Sequence, residues 1–293
     1  MTRLRNALLA VAALLLLTAS PAAAITYGTP DGNDHPYVGF MIFFVPSEPG
    51  WFSCSGTLLD STTFLTAGHC TVDIGTNGDE SASRSGGNDA WVTFRSDDVL
   101  AGWPLRADHP DATEQQIYDL RSAWLNDASH GFVRGTAHPD PLYDDFASYP
   151  VNNDLGIVKL ASAASGQAFG ALAPIGTAER LVDTAKNKNG ALIETVGYGI
   201  QSVQPNPLSV DTRYWSTSRI VELNGNASKG GNLHTLNNPS EVGGRGGSCN
   251  GDSGGPLLVP GTNQVVAVVS YGFSGTCHGA DYSWRVDTVP SQQ

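Results

Sequence analysis

The sequence predicts an antiparallel all-β fold, a barrel or a sandwich pair. Three features carry that expectation. Apolar residues fall in short runs rich in aromatic and β-branched side chains, clusters of Gly, Pro, Asn and Asp separate those runs, and helical periodicity is scarce. The runs are Tyr37–Val45, Thr63–Ala67, Trp91–Phe94, Leu155–Leu160, Ile193–Tyr198, Tyr214–Leu223 and Val265–Tyr271. Each has strand length and is bounded by turn-forming residues. One helix is expected, over Thr113–Asn126, where Ile117, Leu120, Ala123 and Trp124 recur at helical spacing. Ser162–Asn189, rich in Ala, Gly and Ser, reads as the connection between two halves. A chain of 293 residues has ample material for a core.

The N-terminus reads differently. Arg3 and Arg5 precede an apolar run from Ala7 to Leu17, and Ala22-Ala23-Ala24 follows. That pattern predicts a secretory signal peptide over residues 1–24, too short and wrongly flanked for a membrane anchor. No later stretch reaches the ~18 apolar residues that cross a bilayer. The expected location is therefore extracellular. The formal net charge is −12, and losing two arginines with the signal peptide makes the mature chain still more acidic. Such a surface opposes binding to nucleic acid and to anionic membranes. Four cysteines, Cys54, Cys70, Cys249 and Cys277, imply two disulfides in an exported chain, with three possible pairings. No cysteine pair has the two-residue spacing of a zinc knuckle, so no metal site is expected.

Chemistry enters with CNGDSGGP, residues 249–256, which sets Ser253 among residues with almost no side chain. A nucleophilic serine needs a base, an orienter for the base, and N–H donors for the oxyanion. Gly251 leaves its N–H open to a bound carbonyl, since no Cβ blocks the approach. Of seven histidines, His69 is the candidate base: LTAGHC sets it after a strand-like run and directly before Cys70. Taken alone it reads equally as a half-buried structural histidine. His35, His109 and His138 each precede proline and read as turn residues, while His130, His234 and His278 lie among small polar residues. Asp154 opens NDLGIVKL at the edge of a buried-strand pattern, where an orienting carboxylate or a plain strand-start residue would both fit.

Together TAGHC, NDLGIVKL and GDSGGP, in the order His…Asp…Ser, resemble the chymotrypsin/trypsin family of serine peptidases. CSGTLL before the first motif and SYG after the last match flanking family strands. The resemblance implies two antiparallel β-barrels with the site in the cleft between them, and divides the chain into 25–165 and 166–293. It implies His69, Asp154 and Ser253 as the triad, with the N–H groups of Gly251 and Ser253 binding the oxyanion. It pairs Cys54 with Cys70 and Cys249 with Cys277. Ser270 would hydrogen-bond the triad carboxylate and, with Tyr271 and Gly272, begin the strand that pairs with substrate. Gly247 and Ser248 would form the floor of the specificity pocket and Gly272 its wall. An open, uncharged floor favours aromatic or large aliphatic residues, whereas Asp281, if it points inward, selects a basic one. Asp252 would pair with a free α-amino group at Ile25, which follows Ala24 directly, so that signal-peptide cleavage itself activates the enzyme.

The resemblance thus implies a secreted, monomeric serine endopeptidase acting on protein or peptide substrates without a cofactor. The alternative is a catalytically silent member used for binding; an esterase reading lacks the strand–turn–helix context of a nucleophile elbow. The chain departs from the family in two places. More residues than usual separate His69 from Asp154, with the surplus expected within Ser96–His130, and the chain ends soon after Arg285-Val286-Asp287, where a C-terminal helix is the family norm. Asn226-Ala227-Ser228 also fits a glycosylation sequon.

Overall fold

A computed structural model describes residues 25–75, 88–185, 190–203, 207–238 and 246–292. The expected signal peptide over 1–24, and positions 186–189 of the expected connection, lie outside these residues.

In chain order the strands are β1 (Thr29–Pro30), β2 (Val38–Val45), β3 (Gly50–Leu58), β4 (Thr63–Thr66), β5 (Asn88–Thr93), β6 (Val133–Pro139) and β7 (Gly156–Leu160). They continue with β8 (Ala171–Leu172), β9 (Leu192–Gly197), β10 (Tyr214–Glu222), β11 (Asn232–Asn237), β12 (Pro256–Leu258), β13 (Gln264–Gly272) and β14 (Gly279–Arg285). The first barrel closes in the order β2-β3-β4-β7-β6-β5. The second runs β10-β11-β14-β13-β12-β9 and closes through pairing of β10 with β9. Both rings are antiparallel; β8 adds a short parallel contact to β13 and β1 pairs with β10. The expected two-barrel architecture is what the chain adopts.

Alternation explains most of the strands. In β10 and β6 every second residue is buried, as one face of a barrel wall requires. β2 is buried along six consecutive residues, Val38–Phe43. Phe40, Phe64, Trp91 and Val158 of the first barrel share one buried cluster with Val196, Leu258, Val268 and Trp284 of the second. The core is therefore continuous across the two barrels, while Ile193, Leu233, Leu257 and Val266 fill the second barrel separately.

The surplus between β5 and β6 contains the expected helix, α1 (Glu114–Asn126). Thr113 and Gln116 form a reciprocal capping box at its start. The helix packs on the outside of the first barrel, where Tyr118 stacks on Trp51 and meets Phe44 edge-on. Trp91 Nε1 donates to Asn126 Oδ1 at 2.9 Å, tying the helix end to β5. A second helix, α2 (Thr177–Thr184), lies within the segment read as a connection. Its first turn is held by Asp287, whose Oδ2 accepts from the Ala178 N–H at 2.7 Å.

His35 is no simple turn residue. Its Nδ1 lies 2.5 Å from Asp31 Oδ1, and Asp31 Oδ2 accepts from Arg213 Nε at 2.7 Å. The Arg213 guanidinium is fully buried and also donates to the carbonyls of Val38 and Phe94 on the first barrel. Burial works against the charged forms of both Asp31 and His35, but their mutual hydrogen bond, joined by Arg213 at Asp31 and by Glu194 at His35, outweighs it. Asp31 therefore sits below the ordinary carboxylate range and His35 is pushed up to about 9. A buried arginine is tolerable only when its donors are satisfied. Here that requirement fastens the N-terminal segment to both barrels.

Candidate active site

His69 sits in a short 3-10 turn, Gly68–Cys70, that β4 delivers directly from the barrel wall. The Cys54–Cys70 disulfide anchors the next residue to β3. Asp154 lies two residues before β7, which pairs with β4, so the two side chains emerge beside adjacent strands of one barrel. The fully buried Asp154 carboxylate accepts from His69 twice: from the backbone N–H at 2.8 Å and at Nδ1 over 2.9 Å. A third bond comes across the cleft from Ser270 Oγ, 2.5 Å from Asp154 Oδ2. Desolvation works against the Asp154 charge, but His69 and then Ser270 outweigh it, so the carboxyl is lowered. Desolvation likewise opposes the His69 imidazolium, yet the charge and hydrogen bond of Asp154, with the charge of Asp145 added, raise it above its ordinary value. The imidazole remains 26% exposed, with its Nε2 edge left for a reaction partner.

Ser253 belongs to the second barrel, and backbone bonds draw its loop against the first. The Ser253 carbonyl accepts from the Ser55 N–H at 2.8 Å, and Ser55 Oγ donates to the Gly251 carbonyl at 2.9 Å. Gly254 adopts φ 81°, and a Cβ there would run into Thr66 and Ser55. Its N–H donates to Val269, next to the Ser270 that holds Asp154. Ser253 Oγ and His69 are not hydrogen-bonded to each other; catalytic hydrogen bonds of this kind commonly tighten only in the complex with substrate. Gly251 adopts φ 95°. Among the described residues, the N–H groups of Gly251 and Ser253 have no protein acceptor, although those of Asp252, Gly254 and Gly255 do. Two unspent donors flank the serine hydroxyl.

The expected pocket residues also come together. Gly247 is buried, and Ser248 donates its N–H to Asp281 Oδ2 at 3.0 Å. Gly272 pairs with Asp281 across β13 and β14, and a Cβ on Gly272 would lie 3.3 Å from Asp281 Oδ1. Asp281 is therefore enclosed between Ser248 and Gly272, only 7% exposed. Burial pushes its carboxyl up to about 7, with Ser248 and Asn237 offsetting part of that cost. The Cys249–Cys277 disulfide joins the loop after Ser248 to the loop before β14, completing the pairing expected from the resemblance.

Ile25 is fully buried beside Tyr214 and the partly buried Val210. The next residue, Thr26, bridges to Gly247 and donates its hydroxyl to Asn237 at 2.9 Å. Asp252 is fully buried, with backbone N–H groups of Gly199 and Cys249 at 2.8 and 2.9 Å. Burial pushes it up to about 7 despite those two donors, and the nearby Asp281 adds to the shift. No ion pair among the described residues involves Asp252.

Sequence reasoning missed two neighbours of His69. The loop before Asp154 carries Asp145 and Phe146, both with left-handed backbone at φ 57° and 62°. The Phe146 ring lies 6.1 Å from the imidazole. Nothing in spacing or periodicity marks them, because the loop acquires its position only through tertiary packing. Cys54, His69 and Cys70 are the one group of metal-capable side chains among the described residues, and both thiols are consumed in a disulfide.

Comparisons with known proteins place the fold and the family of the chain. The Trypsin family model matches residues 119–289, more than half of the chain, a span that includes Asp154 and Ser253. Among solved structures, HL collagenase matches with TM-score 0.57 at 15% identity, covering 90% of this chain and 94% of that one. GrC matches with TM-score 0.55 at 18% identity over 90% and 96% of the two chains. Human heparin binding protein matches with TM-score 0.54 at 18% identity over 90% and 92%. At such identities the structural matches establish the fold, and the family model supplies the lineage. The chain belongs to the trypsin family of chymotrypsin-like serine proteases.

Proposed function

We propose that the protein is a secreted serine endopeptidase that cleaves peptide bonds through Ser253, His69 and Asp154. The observation that carries this reading is the Asp154 carboxylate, buried and bonded to both His69 and Ser270. A carboxylate in that position fixes the imidazole tautomer, leaving Nε2 as the base. Ser253 Oγ attacks the scissile carbonyl while His69 Nε2 takes its proton, and Asp154 steadies the resulting imidazolium. The N–H groups of Gly251 and Ser253 receive the oxyanion. His69 then returns the proton to the leaving amine, and water repeats the sequence on the acyl-enzyme. A peptide-library cleavage profile of the secreted protein tests the reading. Cleavage that disappears with Ser253→Ala supports it, and a folded protein that cuts no peptide assigns the chain to binding instead.

Activation follows from Asp252. A carboxylate buried among backbone donors lacks a cation, and the α-amino group released at Ile25 supplies one. Signal-peptide cleavage after Ala24 then creates the active form, with no separate activating protease. An ion pair broken on one side only costs roughly 3–5 kcal/mol. Protein carrying one extra residue ahead of Ile25 is expected to lose at least about a hundredfold in kcat/KM. N-terminal sequencing of active secreted protein checks this: an active form beginning anywhere but Ile25 contradicts it.

Asp281 supports a basic residue at the cleaved position over the apolar one that an open floor favours. A buried carboxylate raised to about 7 ionises more readily when a lysine or arginine side chain enters beside it. The ratio of kcat/KM for an arginine peptide to that for a phenylalanine peptide is therefore expected to rise with pH through about 7. His69 affects both substrates alike and cancels in the ratio. Asp281→Asn is expected to flatten the profile and lower the arginine rate selectively. Equal profiles in the two proteins would remove Asp281 from substrate selection.

A further inference from the structure

A cavity of about 530 Å³ lies where the N-terminal segment meets the outer face of the second barrel, and it shares no lining residue with the active site. Glu194 on β9 and Trp215 on β10 line it from neighbouring strands, each partly exposed between two buried residues. The buried His35 lies between two rings, 6.0 Å from Tyr37 and 6.1 Å from Trp215. Asp34 and Asn263 are exposed at the rim. The charged groups facing His35 are Asp31 on its own segment and Glu194 on β9, with Arg213 reaching it through Asp31. His35 Nδ1 is committed to Asp31, and the imidazole is held as the cation, so Nε2 also carries a proton. That proton excludes a metal ion at Nε2.

Glu194 Oε2 stands 3.8 Å from His35 Nε2, too far for a direct hydrogen bond. The Gly261 N–H holds both carboxylate oxygens, at 3.2 and 3.1 Å, and so fixes the gap. An oxygen atom ~2.8 Å from each group would span it. That atom must accept from the imidazolium and donate to the carboxylate. A hydroxyl does both at one atom, whereas an amide needs two and an ammonium cannot accept. Beside the gap, the Trp215 ring offers a flat apolar wall, and Asp34 and Asn263 offer acceptors to further hydroxyls. The acidic chain opposes a ligand that is itself anionic. We propose that this cavity binds a neutral pyranose sugar, one hydroxyl bridging His35 and Glu194 while the ring lies against Trp215. It is a saccharide-binding site separate from the triad, and the inference does not rest on the active site proposed above.

The test titrates the secreted protein with the methyl glycosides of glucose, galactose, mannose and N-acetylglucosamine, read by NMR. Wild type is expected to saturate with at least one of them, with Kd on the order of 1 mM. Trp215→Leu is expected to weaken that binding about tenfold, and Glu194→Gln, which keeps the bulk of the side chain, about fivefold. Circular dichroism and thermal unfolding confirm that each variant is folded. Affinity is also expected to fall about fivefold between pH about 7 and about 10, as His35 loses its Nε2 proton through about 9. Retention on cellulose or chitin identifies a polysaccharide as the source of the sugar, and retention on an immobilised mannose-bearing glycoprotein identifies a glycoprotein; either must be lost in Trp215→Leu. Failure of wild type to bind any of the four glycosides at about 50 mM, some fiftyfold above the expected Kd, overturns the proposal. Equal affinity in the folded Glu194→Gln variant, or an affinity level across that pH range, overturns it too. N-methylacetamide serves as an amide probe, and a signal from it alone that Glu194→Gln removes would assign the cavity to an amide instead.

Discussion

Replacing Ser253 with alanine is expected to lower kcat for peptide hydrolysis by at least about 10⁴-fold while leaving the fold intact. The side chain is half-buried, and the bonds that position its loop come from backbone atoms. The Ser253 carbonyl keeps its partner at Ser55, and Gly254 keeps its bond to Val269. Only the Oγ is lost. His69→Ala is expected to cost a similar factor, and the double variant little more than either single one, because nucleophile and base act as one unit. Steady-state kinetics on one peptide, with thermal unfolding as the control, measures all three. Losses that multiply would mean that the two residues contribute independently.

Asp154→Asn is expected to reduce kcat by about 10⁴-fold. The carboxylate accepts three hydrogen bonds, two from His69 and one from Ser270. An amide keeps the size of the side chain but offers a single acceptor oxygen and two donors. With an NH₂ group facing Nδ1, the imidazole holds its proton on Nε2, where it can no longer accept from Ser253. The variant should still be secreted and still carry both disulfides, since neither bridge involves the Asp154 side chain. Kinetics beside non-reducing peptide mapping checks both halves. A variant with near wild-type turnover would exclude Asp154 as the orienter.

His69, Asp154 and Ser253 were legible because each sits in a short local pattern: a strand end before a cysteine, a polar opening to an apolar run, and a glycine-flanked hydroxyl. The strands with clean apolar runs, such as β2, β7 and β13, were legible for the same reason. β6, β11 and β14 were not, since Gly135, Asn232 and Asp281 interrupt their apolar character with buried positions that only barrel closure explains. The helix α2 reads as part of a connection because its eight residues hold few apolar side chains and depend on Asp287, over a hundred positions away in the chain, for their cap. His35 reads as a turn residue beside proline until Arg213 and Asp31 arrive from elsewhere in the chain. The enclosed position of Asp281 depends on the register of β13 against β14. Phe146 has no sequence signal at all; its place beside His69 follows from a left-handed loop held by Tyr143 and Tyr271.

The central claim is that Ser253 is a nucleophile made reactive by His69. Fluorophosphonate treatment of the secreted protein, followed by peptide mass spectrometry, tests it most directly. A single adduct is expected on Ser253, formed in proportion to the loss of peptide hydrolysis and abolished by His69→Ala. A folded protein that takes up no label, or that carries it on another residue while activity is lost, would contradict the assignment.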